Sequence, residues 1–267
     1  MSDPKDIKLT AQARVVGVRP APPAITEHLR HVRFEPSSTG VRFVGAHIER
    51  VDFSGLRIDR YHASDSVFEG CDFRRTVLRG TFGVPPPSVY RDCLFDSADL
   101  RQCSPDLARF ERCIFDGAKL DGWLSWHAEF VDCRFSGRLK TVVFSAGLND
   151  DPTRGPVRTE ALEFRGNDFH AADLVEVSFS GGIDIGAQVL PEGPEYVRLD
   201  VRPETLDRVD AFVGGLPPDQ RDGPFGAAST VRGIRLAYRS QSQAFLKRGS
   251  TGRLDLYERL LSTLRTH

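Results

Sequence analysis

Long apolar runs are missing from this chain of 267 residues: none of seven or more lies near the N-terminus, and none of about 18 occurs anywhere. Neither a signal peptide nor a membrane span is therefore expected, and the reading is a cytoplasmic protein. Charge of one sign is missing too. Lys and Arg number 36 against 37 Asp and Glu, for a net charge of −1, which leaves no electrostatic footprint for direct contact with nucleic-acid phosphate. The motifs of common chemistries are also absent. There is no Gly-rich phosphate loop ending in Lys-Ser/Thr, no H-E-x-x-H and no G-x-S-x-G. The expectation is a protein that is not an enzyme, with no cofactor and no metal. Cysteines number 5, an odd count that favours reduced thiols over a disulfide frame. Apolar residues make up 40% of the chain, enough for a substantial core.

What the sequence does have is a period of five. Large apolar residues recur at Phe43, Ile48, Phe53 and Ile58, at Phe68, Phe73 and Leu78, and at Tyr90, Phe95 and Leu100. They continue through Phe110, Phe115, Leu120, Phe130 and Phe135, then Leu139 and Phe144, and finally Phe164, Phe169, Leu174 and Phe179. Two residues before most of them stands a small or modest side chain, among them Cys71, Cys93, Cys113 and Cys133. Neither a helix nor a simple strand sustains this period.

Ala98-Asp99-Leu100 and Ala172-Asp173-Leu174 match the A(D/N)Lxx motif, and over residues 34 to 185 the chain resembles the pentapeptide repeat family. The resemblance implies an all-β solenoid: a right-handed, four-sided β-helix with one pentad per side, here of about six to seven coils, with a C-terminal helical segment after it. At ~4.8 Å per coil the stack is on the order of 30 Å long. In such a stack the four cysteines form one inward column beside the column Phe73, Phe95, Phe115 and Phe135. A line of parallel thiols offers no tetrahedron for zinc, and its Cβ vectors are wrong for disulfides, so the column is read as packing. Cys103, on another side, is read in the same way.

The fourth side is the irregular one, with Ala63, Phe82 or Gly83, Pro105, Ser125 and Phe144 at its centres. Insertions near 81–88 and 145–160 leave from its end, and long loops on a rigid scaffold are a common design for binding. The candidate partner-binding residues are Pro85 and Pro86 in the first insertion, Asp150, Asp151 and Arg154 in the second, and Trp126 and His127 between them. Trp126 follows the central Ser125 and should point outward, either as a contact anchor or as a side chain covered by the long loop. Trp123 stands at a small-residue position, where it distorts the coil or flips out; a structural role is preferred.

Residues 1–33 read as an N-terminal cap. His28 and His31 stand at helical spacing within them, without further metal ligands. Residues 186–267 read as a mainly helical cap or dimerisation segment. A helix is expected to start at Pro203-Glu204 and stop at Gly214-Gly215, and another to run from about Ser229 to Lys247. A last amphipathic helix would carry the stripe Leu254, Tyr257, Leu260, Leu261 and Leu264. That stripe needs cover, from its own chain or from a second copy, and the resemblance implies end-to-end homodimers through this segment.

The functional expectation is a rigid, non-catalytic interaction module for a protein partner. The resemblance also implies an alternative: the best-understood members of the family bind DNA gyrase and other type II topoisomerases, mimic duplex DNA and protect against topoisomerase poisons. The charge fits that alternative less well. Residues 40 to 185 hold 23 acidic and 18 basic residues, with arginines through the middle coils.

Overall fold

The structure, a computed structural model, describes residues 7–8, 24–35, 40–148, 159–221, 243–247 and 254–265. Short parallel strands stack in register on successive coils, so each pentad becomes one side of a four-sided solenoid. On face one, seven strands from His28–Arg30 to Phe164–Arg165 form one parallel sheet. Its inward column is Leu29, Ile48, Phe68, Tyr90, Phe110, Phe130 and Phe164. Face two stacks Phe53, Phe73, Phe95, Phe115, Phe135 and Phe169 with ring centroids 4.6–4.9 Å apart and planes within 7° of parallel. That spacing is the strand repeat itself. Face three lines up Ile58 with Leu78 and Leu139 with Leu174. Face four pairs Phe43 with Ala63, Ser125 with Phe144 and Phe144 with Phe179. The core is thus one continuous column of buried residues running the length of the stack.

Two expectations at the N-terminal end need correction. Ala24–Ile25 pairs with Arg42 and Phe43, and His28–Arg30 pairs with His47–Glu49. Part of the segment assigned to a cap is therefore a further coil, with Ile25, Leu29, Val32 and Phe34 buried as its inward residues. His28 lies on a strand, not a helix, and its ring stacks on that of His47 at 4.3 Å. The first insertion is also shorter than expected. Val77–Val84 is strand, and the chain leaves the wall at Pro85.

Face four keeps its volume by exchanging large and small positions. Its inward pairs are Val41 with Phe43, Tyr61 with Ala63, Trp123 with Ser125 and Val142 with Phe144, all buried. On the rungs centred on Ala63 and Ser125 the residue two earlier is large, whereas the rung centred on Pro105 has the small Cys103 there. Trp123 therefore neither flips out nor disrupts pairing: it fills the space that Ser125 leaves, and its indole N–H donates to the Leu100 carbonyl at 2.8 Å. Tyr61 is accommodated in the same way. Tyr90 donates to the Phe82 carbonyl, so the Tyr61 hydroxyl donates to Tyr90, each at 2.9 Å. Burial pushes both phenol pKa values up. The next residue in Tyr61's column is Gly80, at φ +135°, where a Cβ would lie 2.0 Å from the Tyr61 carbonyl oxygen.

The cysteine column runs Val32, Val51, Cys71, Cys93, Cys113, Cys133, Asn167, Gln188. All five cysteines are buried and unpaired. Cys71, Cys113 and Cys133 donate to the carbonyls of Ile48, Tyr90 and Phe110 in the preceding coil at 3.3–3.4 Å, and Cys93 to Phe68 at 3.6 Å. Burial pushes the Cys93, Cys103 and Cys133 thiols up. At the end of the column the Asn167 amide donates to Phe130 and to Gln188, and Gln188 donates to Phe164. Folded protein is therefore expected to resist a thiol reagent, with all 5 thiols reacting after denaturation. Fast labelling of Cys113 in the folded state would place the column elsewhere.

Beyond the solenoid, Tyr196–Asp200 and Gln243–Lys247 form an antiparallel pair. The helix expected to end at Lys247 is thus strand over its last five residues, and its earlier part lies outside the described residues. Tyr196 and Phe245 stack at 5.4 Å and pack on the last coil, closing its core. The helix Pro203–Gly214 begins and ends where the sequence indicates. With the strand pair and the last helix, Leu254–Arg265, it encloses a second core of Val197, Leu199, Val201, Val209, Ala244 and Leu260. Leu264 packs against that core, while the side chains of Leu254, Tyr257 and Leu261 lie outside the described ones. Leu260 is covered by its own chain.

Candidate protein-interaction surface

Outward side chains on three faces are often charged, and many of them are paired along the wall. On face one, Arg30 meets Glu49 at 2.7 Å and Arg91 meets Glu111 at 2.8 Å. Arg109 contacts Glu111, Glu129 and Glu163 at 2.5, 2.9 and 2.5 Å, joining several coils. Burial opposes the Arg109 charge, but these carboxylates more than offset it and hold its pKa above the usual value. Arg109, and then Arg165, hold the Glu163 carboxyl below its ordinary range. Face two pairs Arg74 with Asp72 and Arg134 with Asp116; face three pairs Arg101 with Asp99. The result is a mixed-charge ladder, not a sustained negative wall.

Face four differs. Through its coils one outward row reads Arg42, His62, Thr81, Ser104, Leu124 and Val143, and the other includes Val44, Ser64, Val84, Asp106 and Trp126. Asp106 has both oxygens engaged, by the hydroxyls of Thr81 and Ser104 at 2.5 Å. Among the described residues, the exposed large apolar side chains are Leu124 at 53%, Trp126 at 47% and Val189 at 56%. Leu124 and Trp126 straddle the inward Ser125, so strand alternation puts both on the outer surface ~7 Å apart. Trp126, in the bend that follows the strand Leu124–Ser125, is uncovered by the described residues. Leu124 was missed in the sequence reading, although its position beside a central residue carries the same signal.

His127, Pro85 and Pro86 are exposed at the neighbouring corner. The first insertion is held to the wall, since the Asp65 N–H donates to the Pro86 carbonyl at 2.8 Å. The second leaves after Leu148, whose N–H donates to Gly181, and returns by Leu162, which donates to Ala146. Asp150, Asp151 and Arg154 lie outside the described residues. Among the described residues no group of three or more His, Cys, Asp or Glu is placed to hold a metal ion, and no helix is long and apolar enough to cross a membrane.

The geometry defines the class: the protein is a parallel β-solenoid of pentapeptide repeats. No family model matches the chain, and no curated protein matches it. Among solved structures it is similar to full-length QnrB1, a plasmid-mediated fluoroquinolone resistance protein, at 18% identity over 63% of this chain and 82% of that one, with a TM-score of 0.28. A trypsin-treated form of QnrB1 gives 15% identity over 62% of this chain and 90% of the other, with a TM-score of 0.31. HetL, a pentapeptide repeat protein involved in heterocyst differentiation regulation from the cyanobacterium Nostoc, gives 12% identity over 64% and 88%, with a TM-score of 0.21.

Proposed function

We propose that this protein is a non-catalytic interaction module of the cytoplasm whose fourth face, centred on Leu124 and Trp126, contacts a protein partner. The observation that supports this reading is the exposed apolar pair on a wall where charge is sparse. Neighbouring outward positions on the same coil, such as Asp116, Lys119 and Asp121, are charged. An exposed Trp directly after a strand of the rigid wall is a suitable hot spot, because little ordering cost accompanies its burial. Pro85, Pro86 and His127 border the contact, and Asp150, Asp151 and Arg154 of the second insertion extend it. The test compares wild type with the Leu124→Ser/Trp126→Ala double variant as baits in the source cell, with mass spectrometry of the retained proteins. A partner held by the wild type and lost by the variant supports the reading. Equal retention moves the contact to another face.

A second reading, a binder of DNA gyrase or another type II topoisomerase, is favoured by one observation: two insertions of unequal length leave the same edge of the solenoid. The paired charges on faces one to three count against mimicry of duplex DNA. On this reading the protein changes gyrase supercoiling, or its inhibition by a quinolone, at submicromolar to micromolar concentration, and deleting residues 149–158 removes the effect. Absence of any effect on the host's own gyrase discards it. A homodimer through the last helix is a weaker proposal, because Leu260 already has cover within its own chain.

A further inference from the structure

We infer that the partner segment seated on face four is uncharged and carries an aliphatic or aromatic anchor, so that desolvation and not charge holds the contact. The inference rests on the proposed function above and names the chemistry of the occupant. Its first support is the distribution of charge. On faces one to three many guanidinium and carboxylate groups are paired with each other within the wall, as Arg109 is with three glutamates. A charged partner would have to break those pairs to make its own, with little net gain.

Among the described residues next to Leu124 and Trp126 on face four there is little for a charged partner to pair with, since Arg42 stands several coils away on the same row. Asp106, the acidic group beside the apolar pair, already accepts hydrogen bonds from Thr81 and Ser104 on its two oxygens. Complementarity at the Leu124–Trp126 pair itself therefore means an apolar surface meeting an apolar one.

The second support is that the apolar pair owes nothing to the core. Trp123, just before the strand Leu124–Ser125, and Ser125 are the inward residues here, both buried, and together they complete the interior. Leu124 and Trp126 alternate with them and could be any solvated residue without cost to packing. Half-buried Val143 sits beside Leu124 on the next coil and widens the apolar strip. A continuous strip of this kind, rimmed by polar hydroxyls and held on a ladder of strands, fits a segment that inserts one or two large apolar side chains.

The experiment uses the full chain and a display library of random 12-residue peptides. Enriched peptides are expected to be rich in Trp, Phe, Leu or Ile and close to neutral. Their synthetic versions should bind with a Kd that changes less than about twofold between 0.05 and 0.5 M NaCl, since screening acts on charge pairs. Binding should fall at least about tenfold in Leu124→Ser/Trp126→Ala and be largely kept in Trp126→Phe. Trp126 emission should move to the blue on binding, while buried Trp123 contributes a constant background. Unchanged thermal melts of both variants exclude unfolding as the cause. Enrichment of strongly charged peptides with steep salt dependence would overturn the inference while leaving the interaction module standing. Equal binding to the double variant would overturn it too, and no enrichment at all would count against both.

Discussion

Phe115→Ala is expected to lower the unfolding free energy by about 3 to 5 kcal/mol, the range for removing a buried aromatic side chain. Phe115 is fully buried, stacks on Phe95 at 4.8 Å and on Phe135 at 4.9 Å, and meets Phe110 edge-on at 5.6 Å. The cost should lie near the top of the range because the site cannot collapse. The coils above and below are fixed by parallel pairing, including Phe115 with Phe135 itself, so the walls cannot move inward to fill the space. Each coil also contacts only its neighbours, so the loss falls on two adjacent interfaces and is not shared along the stack. Urea denaturation followed by far-ultraviolet circular dichroism reads it. A loss below about 1 kcal/mol would mean that the aromatic column does not carry the stability assigned to it.

The second large effect is expected at the other end of the chain. Leu260→Asp places a carboxylate in a core formed by Val197, Leu199, Val201, Val209 and Ala244. Burying an unpaired charge there costs several kcal/mol, so the C-terminal unit should open instead of holding the charge inside. The solenoid should survive, because the core that contains Leu260 is distinct from the column along its axis. Hydrogen exchange separates the two parts. Amides of the helix Pro203–Gly214 should lose protection while those of Val89–Arg91 and Arg109–Glu111 keep it. Unchanged protection throughout would show that Leu260 is not enclosed. Dissociation of a dimer with the unit still folded would instead point to cover from a second copy.

The solenoid was legible in the sequence because each inward position repeats a similar side chain at a fixed interval. Phe73, Phe95, Phe115 and Phe135 make that interval visible without any knowledge of what they touch. The first coil was not legible, since Leu29, Val32 and Phe34 supply only a fragment of the period before it breaks. Trp123 was ambiguous for a different reason: its fit depends on Ser125 being small, and a pattern read one column at a time does not show an exchange between columns. The strand Gln243–Lys247 was taken for helix because its partner, Tyr196–Asp200, is distant in sequence, and pairing over that separation leaves no local mark. Outward Trp126 followed from alternation alone. The sparseness of charge around it emerged only when the strands were set side by side.

The exchange of large and small residues on face four also constrains how this wall can change over generations. Tyr61 with Ala63, and Trp123 with Ser125, place a large inward residue before a small one, where Val41 with Phe43 and Val142 with Phe144 place the larger residue second. A mutation that enlarges Ser125 alone would collide with the indole, and one that shrinks Trp123 alone would leave a void, so each intermediate is expected to be less stable than either end state. The two positions on a rung are therefore bound in reciprocal epistasis and must drift as a couple. Leu124 and Trp126, one step out of phase, are free of that bond, so the outer surface can acquire new partners while the interior stays frozen.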